Sequence, residues 1–391
     1  MATPTPSTPS TPVRTALIGL SASAITAWAS QAHLPALRSH PDVFALAALC
    51  NSSEAAADAA IRAFELDPTT VRAHGQPDAL AADPAVDLVI CCTRVDRHFE
   101  TVLPSVQAGK SVYLEWPIAS SLAHVEALQA AARASGAPVA VGLQGRFGPL
   151  VRTLQGALQS GRIGRVLSTE VRAFGGTRDR EVLPVGLKYF ADREVGGNPI
   201  TIGFGHLIDQ VQFVVGDLVP GTDHIHLQVQ RPDVRLRDAQ SGEFVGHTRS
   251  NVPDLVSLHG SLPETAQVAA GASLVAYFAR GQPYPGDPAL TWTLTGESGT
   301  LRLTSPTGIF MQADTGPERP ILTVLDHATG AVEEIPWAWS ETQLAVPVMA
   351  RAVQGCLVSF ATGRTEGYVS LDDAAGRARQ IARWLDALAQ A

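Results

Sequence analysis

Charge, cysteine and aromatic residues are all scarce in this chain, and each shortage removes a class of function. Charged residues make up 17% of the 391 positions and aromatics 6%. Lys and Arg number 29 against 37 Asp and Glu, a formal charge of -8. That balance gives no basic footprint, so direct nucleic-acid binding is not expected. The four cysteines, Cys50, Cys91, Cys92 and Cys356, contain no CxxC pair and read as buried, reduced thiols, which speaks against a disulfide framework or a metal site. No apolar run reaches the ~18 residues of a membrane span. The opening MATPTPSTPSTP lacks the basic start and apolar stretch of a secretory signal, so residues 1–12 read as a disordered tail and a cytoplasmic location is expected. What the chain has in quantity is apolar residues, 45% of it, enough for a sizeable core, and the length suggests two domains.

From Val13 onward, short apolar runs alternate with longer amphipathic stretches. The runs are Thr15 to Gly19, Phe44 to Cys50, Val86 to Cys92, Ser111 to Glu115 and Val139 to Leu143. Helical spacing falls between them, over Thr26 to Ser39, Glu54 to Phe64, His98 to Ala108 and Leu122 to Ser135. Repeated βαβ units with right-handed crossovers imply a doubly wound parallel sheet, a Rossmann domain over 13–145. One more amphipathic segment, Leu150 to Ser160, precedes a β-rich stretch: Val166 to Phe174, His224 to Gln230, Leu255 to Ser261, Gly271 to Phe278, Leu290 to Thr295 and Gly299 to Leu303. Residues 146–391 therefore read as an α+β domain with a large open antiparallel sheet, closed by a helix from Ser370, a plausible N-cap, to Ala389. An exposed sheet face of this kind suggests a homodimer or homotetramer.

The first strand runs into Gly19-Leu20-Ser21-Ala22-Ser23-Ala24, where a dinucleotide fold turns tightly and offers backbone N–H groups to a pyrophosphate. Gly19 matches the first glycine of GxGxxG, Ala24 is tolerated at the third, and Ser21 departs at the second. A Cβ there limits phosphate approach, although its hydroxyl can donate. The second strand ends in Cys50-Asn51-Ser52-Ser53, with no acid at its tip to select an unphosphorylated ribose. Asn51 and Ser52 can donate to a 2'-phosphate, which favours NADP over NAD; the bland alternative is a turn in which Ser53 caps the next helix. Thr93, at a strand's carboxyl end, is placed to line the same site.

With these residues in view, the chain resembles the glucose-fructose oxidoreductase and inositol dehydrogenase family, within it the branch of the galactose-regulon repressor of budding yeasts. Four segments carry the resemblance: Glu115-Trp116-Pro117, Leu143-Gln144-Gly145-Arg146, Ser160-Gly161-Arg162-Ile163-Gly164 and Gly203-Phe204-Gly205-His206-Leu207-Ile208-Asp209. It implies a sheet face forming a substrate pocket against a nicotinamide, with Glu115 and Gln144 lining the cofactor. Many members hold a lysine where this chain has Trp116, and indole can stack and donate one hydrogen bond but cannot carry a proton through turnover.

Hydride exchange with an alcohol or ketone needs a proton carrier. His206 is the leading candidate, with Asp209 three residues on to orient it; the alternative is a structural His-Asp pair. Lys188 and Tyr189 are further candidate donors, or else a solvated loop residue and a packed ring. Arg146 either reaches a substrate or pairs with a carboxylate, and Trp116 shapes the pocket. His98 reads as structural. His224 and His226 share a strand face without an evident third metal ligand, and Trp337 and Trp339 read as buried. Three functions stay open: an NAD(P)-dependent oxidoreductase acting on a small, sugar-like molecule, a catalytically silent dinucleotide-binding sensor or transcriptional co-regulator, and a non-redox lyase or cyclase.

Overall fold

The computed structural model describes residues 11–311 and 318–388, so most of the expected tail lies outside the described residues. The chain divides into two compact units. The first is 1–147 with 340–379, and the second is 148–339 with 380–391. Among the described residues, no helix is long and apolar enough to cross a membrane.

The first unit is built on six parallel strands: β1 (Val13–Ile18), β2 (Phe44–Cys50), β3 (Arg72–His74), β4 (Leu88–Cys91), β5 (Ser111–Glu115) and β6 (Val139–Gly142). Their order is β6-β5-β4-β1-β2-β3, and the short strand Val369–Ser370 adds antiparallel to β6. The strand order therefore reverses between β1 and β4, the place where doubly wound sheets bind ligands. Strands β4 and β6 are buried at every position, as expected where helices cover both faces of a parallel sheet. The connecting helices are α1 (Leu34–Arg38), α2 (Glu54–Ala63), α3 (Pro77–Ala81), α4 (Val95–Gln107) and α5 (Leu122–Ser135). Ser53 caps α2 by accepting from the Ala56 N–H at 3.1 Å, and Ser121 caps α5 from His124 at 3.3 Å.

Strand β3 and helix α3 have no counterpart in the sequence reading, and two further features of this unit differ from it. The helix expected from Thr26 starts as a π turn at Ala29–His33 and becomes α-helical only at Leu34. Residues 21–27 are taken up by a loop, because the Ser21 hydroxyl accepts from the Ser23 N–H and the Ser21 carbonyl from Ala24. The segment 340–379, assigned by sequence to the second domain, belongs to the first unit. Its helix Ala350–Ala361 buries Val353, Cys356 and Leu357 in the same apolar cluster as Leu17, Leu49 and Ile90. Burial of that apolar surface, rather than position along the chain, decides which unit holds the segment.

The loop before β4 is fixed by one buried carboxylate. Asp83 accepts from Arg72 Nη1 at 2.6 Å, the Ala85 N–H at 2.8 Å and His74 Nε2 at 3.1 Å. Lys110 Nζ donates to the carbonyls of Asp83 and Val86 at 2.8 and 2.7 Å. Burial pushes the Asp83 carboxyl up, but the Ala85 N–H, Arg72 and His74 outweigh it and hold the group below its usual range. A carboxyl depressed in the folded state stabilises above its unfolded value of about 3.9, and that contribution is lost as pH falls through the folded value. Asp83→Asn is therefore expected to lower the melting temperature at neutral pH and to flatten its decline below about pH 4. Parallel acid limbs for the two proteins would refute this.

The second unit opens with α6 (Pro149–Gln159), β7 (Val166–Gly175) and β8 (Val182–Pro184). Helix α7 (Gly205–Val215) follows, then β9 (His224–Gln228), β10 (Asp233–Arg237), β11 (Phe244–Arg249), β12 (Leu255–Ser261), β13 (Val268–Arg280), β14 (Leu290–Gly296), β15 (Gly299–Ser305), β16 (Ile321–Asp326) and β17 (Val332–Glu334). An eight-stranded sheet runs β17-β16-β15-β14-β7-β13-β12-β9, antiparallel except for β7 with β13. Alternation is clean in β14, where Leu290, Trp292 and Leu294 point to the core and the intervening threonines to the other face. Trp292 is fully buried and its indole N–H donates to Thr169 Oγ1 at 2.9 Å, so no polar atom of the ring is stranded. A second sheet, β11-β10-β8, was not evident from the sequence. The last helix, Leu371–Leu388, begins at the expected place, with the Ser370 hydroxyl accepting from the Asp373 N–H at 3.2 Å.

Candidate functional site

At the carboxyl ends of β1, β2 and β4, a crevice of about 590 Å3 is lined by Gly19, Asn51, Ser52 and Thr93, four of the residues singled out from sequence. Gly19 has φ +92, a conformation open mainly to glycine. A Cβ there would lie 3.1 Å from both the Cys92 carbonyl oxygen and Thr93 Cγ2. Strand β1 can therefore turn against the end of β4 only without a side chain at this position. Among the described residues, no protein acceptor takes the backbone N–H groups of Leu20, Ser21 and Ala22. Three such donors, on the loop between a parallel strand and the next helix, suit an anion.

The second strand tip differs in detail from expectation. The Asn51 amide donates to the carbonyls of Leu20 and Ala56 at 2.9 and 3.3 Å, tying β2 to the loop after β1. Its nitrogen is thus spent on the backbone, and the expected donation from Asn51 to a 2'-phosphate is withdrawn. Ser52 remains exposed on the crevice wall. The Ser21 hydroxyl, likewise, is engaged in its own turn, and Ala22 is exposed at the apex.

The far wall was missed. Gly75, Gln76, Pro77 and Asp78 come from the β3–α3 crossover, and Arg97 and Glu100, paired at 2.7 Å, from the first turns of α4. The Gly75-Gln76-Pro77 sequence is itself a turn signal that marks this crossover. At Gly75 a Cβ would approach the Glu54 nitrogen to 2.5 Å, so close packing of loop on helix explains the glycine.

The loops beyond β4 and β5 are stapled together by His98, whose Nδ1 faces the Pro117 carbonyl at 2.9 Å and Nε2 the Thr93 carbonyl at 3.0 Å. Burial lowers the affinity of this ring for a second proton, which fits the structural role read from sequence. Glu115, the last residue of β5, meets His33 Nε2 at 2.6 Å. Trp116 follows, buried and joined to Pro117 by a cis peptide. Gln144, just past β6, is 2% exposed, and among the described residues its Oε1 has no hydrogen-bond partner. The glycine turn, the three N–H donors and this buried acceptor fit a dinucleotide lying across the carboxyl edge of the sheet.

Arg146 is placed differently from a ligand-reaching cation: it is 8% exposed and pairs with Asp373 at 2.7 Å. The pairing alternative is the one observed.

The remaining candidates lie in the second unit. Asn198 caps the π turn Pro199–Phe204 by accepting from the Ile200 and Thr201 N–H groups, and Thr201 Oγ1 accepts from the Asn198 N–H. This turn feeds directly into α7. There His206 is 7% exposed, Asp209 is 1% exposed, and their i, i+3 spacing sets them on one helix face. The His206 carbonyl accepts from Gln210 Nε2 at 3.0 Å, and the His206 ring stands edge-on to Phe310 with centroids 6.4 Å apart. Gly203 lets this segment approach the turn at Gly176, whose Cα would lie 3.3 Å from an added Cβ. Lys188 is exposed on the 3-10 segment Val185–Ala191, and Tyr189 packs edge-on against Phe190. His224 stacks on His259, and Trp337 is buried with its indole N–H on the Pro320 carbonyl.

A Rossmann unit whose first strand turns at a glycine, followed by a mostly antiparallel sheet domain, is the arrangement of a class of two-unit dinucleotide-binding proteins. Residues 13–143 match the oxidoreductase family with an NAD-binding Rossmann fold, and 149–305 match the C-terminal domain of Gal80p. The dehydrogenase aclE of Aspergillus oryzae is 30% identical over 324 residues, 79% of this chain and 80% of that protein. The galactose/lactose metabolism regulatory protein GAL80 of Saccharomyces cerevisiae is 26% identical over 64% of this chain and 58% of its own length. A crystal structure of a super-repressor mutant of Gal80p from that yeast superposes with a TM-score of 0.81 at 22% identity, covering 95% of this chain and 94% of its own. The chain belongs to the Gfo/Idh/MocA oxidoreductase family, with a second domain of the Gal80p type.

Proposed function

We propose that this protein is an NAD(P)-dependent oxidoreductase that exchanges hydride with a carbonyl or hydroxyl of a small, sugar-like molecule. The observation that carries the reading is the loop after β1, where Gly19 turns the chain and, among the described residues, three backbone N–H groups lack a protein acceptor. The dinucleotide, when bound, supplies the hydride donor or acceptor. The chain's own part is to grip the pyrophosphate at Leu20, Ser21 and Ala22, to line the cofactor with Ser52, Thr93, Glu115 and Gln144, and to move the hydroxyl proton through His206, oriented by Asp209. The supporting experiment is a screen of sugars, polyols and ketones, read in the reduced-nicotinamide absorbance band.

A second reading is favoured by Trp116, which stands where many family members hold a lysine: a dinucleotide-holding sensor without turnover. Tight dinucleotide binding with no absorbance change across the screen would select it.

Of the two dinucleotides, the reading favours NADP, because the two residues directly after β2, Asn51 and Ser52, carry no carboxylate and Ser52 offers an exposed hydroxyl on the crevice wall. Ser52→Asp is expected to weaken NADPH binding by about tenfold or more through repulsion of the 2'-phosphate, and to leave NADH binding within about twofold. Equal affinities of the variant for both, or tighter NADH than NADPH binding by the unaltered protein, would reverse the assignment.

A further inference from the structure

His33 is fully buried, and among the described residues its imidazole makes one short hydrogen bond, between Nε2 and Glu115 Oε1 at 2.6 Å. The two residues are 82 positions apart, and three elements converge on the contact. His33 ends the π turn that follows the phosphate loop. Glu115 ends β5, and Tyr113, two residues earlier on the same face of that strand, packs its ring edge-on against the imidazole at 5.7 Å. Gly142 ends β6, and a Cβ there would lie 2.5 Å from Glu115 Oε2, so the carboxylate occupies the space that glycine leaves. The carboxylate is thereby held in one orientation at the carboxyl edge of the sheet, its side chain 11% exposed.

Burying an imidazole and a carboxylate together is a poor route to stability, since an apolar pair of the same volume serves as well or better. A fixed orientation is what the pair gains. The edge it occupies, one strand beyond the reversal between β1 and β4, is where a dinucleotide whose pyrophosphate sits at the β1 loop lays its nicotinamide half.

We propose that His33 is a positioning residue that acts through Glu115, holding its carboxylate as a preset acceptor for hydroxyl or amide N–H donors on the nicotinamide riboside half of the dinucleotide. This rests on the dinucleotide reading above.

The test measures binding of NAD(P)H and of ADP, which keeps the pyrophosphate and lacks the nicotinamide riboside, to the full chain and to His33→Ala, His33→Gln, Glu115→Gln and the His33→Ala/Glu115→Gln double variant. Each of His33→Ala and Glu115→Gln is expected to weaken NAD(P)H about tenfold while ADP stays within about twofold, and the double variant to be no weaker than Glu115→Gln alone. Glutamine at 33 retains a donor and is expected to restore most of the affinity. Equal weakening of ADP and NAD(P)H would mean a merely structural role, and unchanged NAD(P)H binding in Glu115→Gln would overturn the proposal even if His33→Ala fails to fold. An unaltered chain that binds neither ligand would instead bring down the dinucleotide reading, and this inference with it.

Discussion

Gly19→Ala is expected to weaken dinucleotide binding by at least about tenfold and to lower the melting temperature of the free protein. Two costs add at this position. The backbone stands at φ +92, which for a residue bearing a Cβ costs roughly 1–2 kcal/mol. The new methyl also meets the Cys92 carbonyl oxygen and Thr93 Cγ2 at 3.1 Å, closer than ordinary contact, and one of those atoms is backbone that cannot swing aside. Relief requires β1 and β4 to separate at their carboxyl ends, which displaces the loop that carries the N–H groups of Leu20, Ser21 and Ala22. Equilibrium titration with NADH and NADPH, alongside a thermal melt, measures both effects. An alanine variant that binds either dinucleotide as well as the unaltered protein does would show that the loop does not hold the pyrophosphate.

His206→Ala is expected to reduce kcat by about a hundredfold to ten-thousandfold, the range for removing a general acid or base, while dinucleotide affinity stays within about twofold. The side chain is almost wholly buried at the start of α7, with Asp209 one turn along the same face. Helix packing around Phe204 and Leu207, both buried, is expected to survive the loss of the ring. Separation of the two readouts is the point of the test: turnover falling with binding intact assigns proton transfer to the imidazole. Loss of binding and turnover together would reduce His206 to a packing residue.

Much of the fold was legible because its periods are strong. Strands Phe44–Cys50, Ser111–Glu115 and Leu255–Ser261 and the helix Leu122–Ser135 fall where apolar spacing and capping residues set them. The helix Ala350–Ala361 was not legible. It is buried on nearly every side, and Gly355 interrupts its helix formers. The β11-β10-β8 sheet escaped for the opposite reason, being short, polar and exposed along much of its length. Gly19, Thr93 and Ser52 line the crevice because each stands at or just past the carboxyl end of a strand, a place that apolar spacing marks. Asn51 was misread because its side chain has two possible customers, a ligand phosphate and the chain's own carbonyls, and sequence cannot show that Leu20 and Ala56 come within reach.

By itself the sequence determined the alternation of strands and helices and the turn at Gly19, both of which follow from residue spacing and from what a side chain forbids locally. The tertiary structure alone decided that 340–379 joins the first unit, that Arg146 is spent on Asp373, and that His33 meets Glu115. Those outcomes depend on which distant surfaces bury one another and on which buried polar groups must then find partners. Such competition among segments far apart in the chain leaves no periodic trace in any one of them.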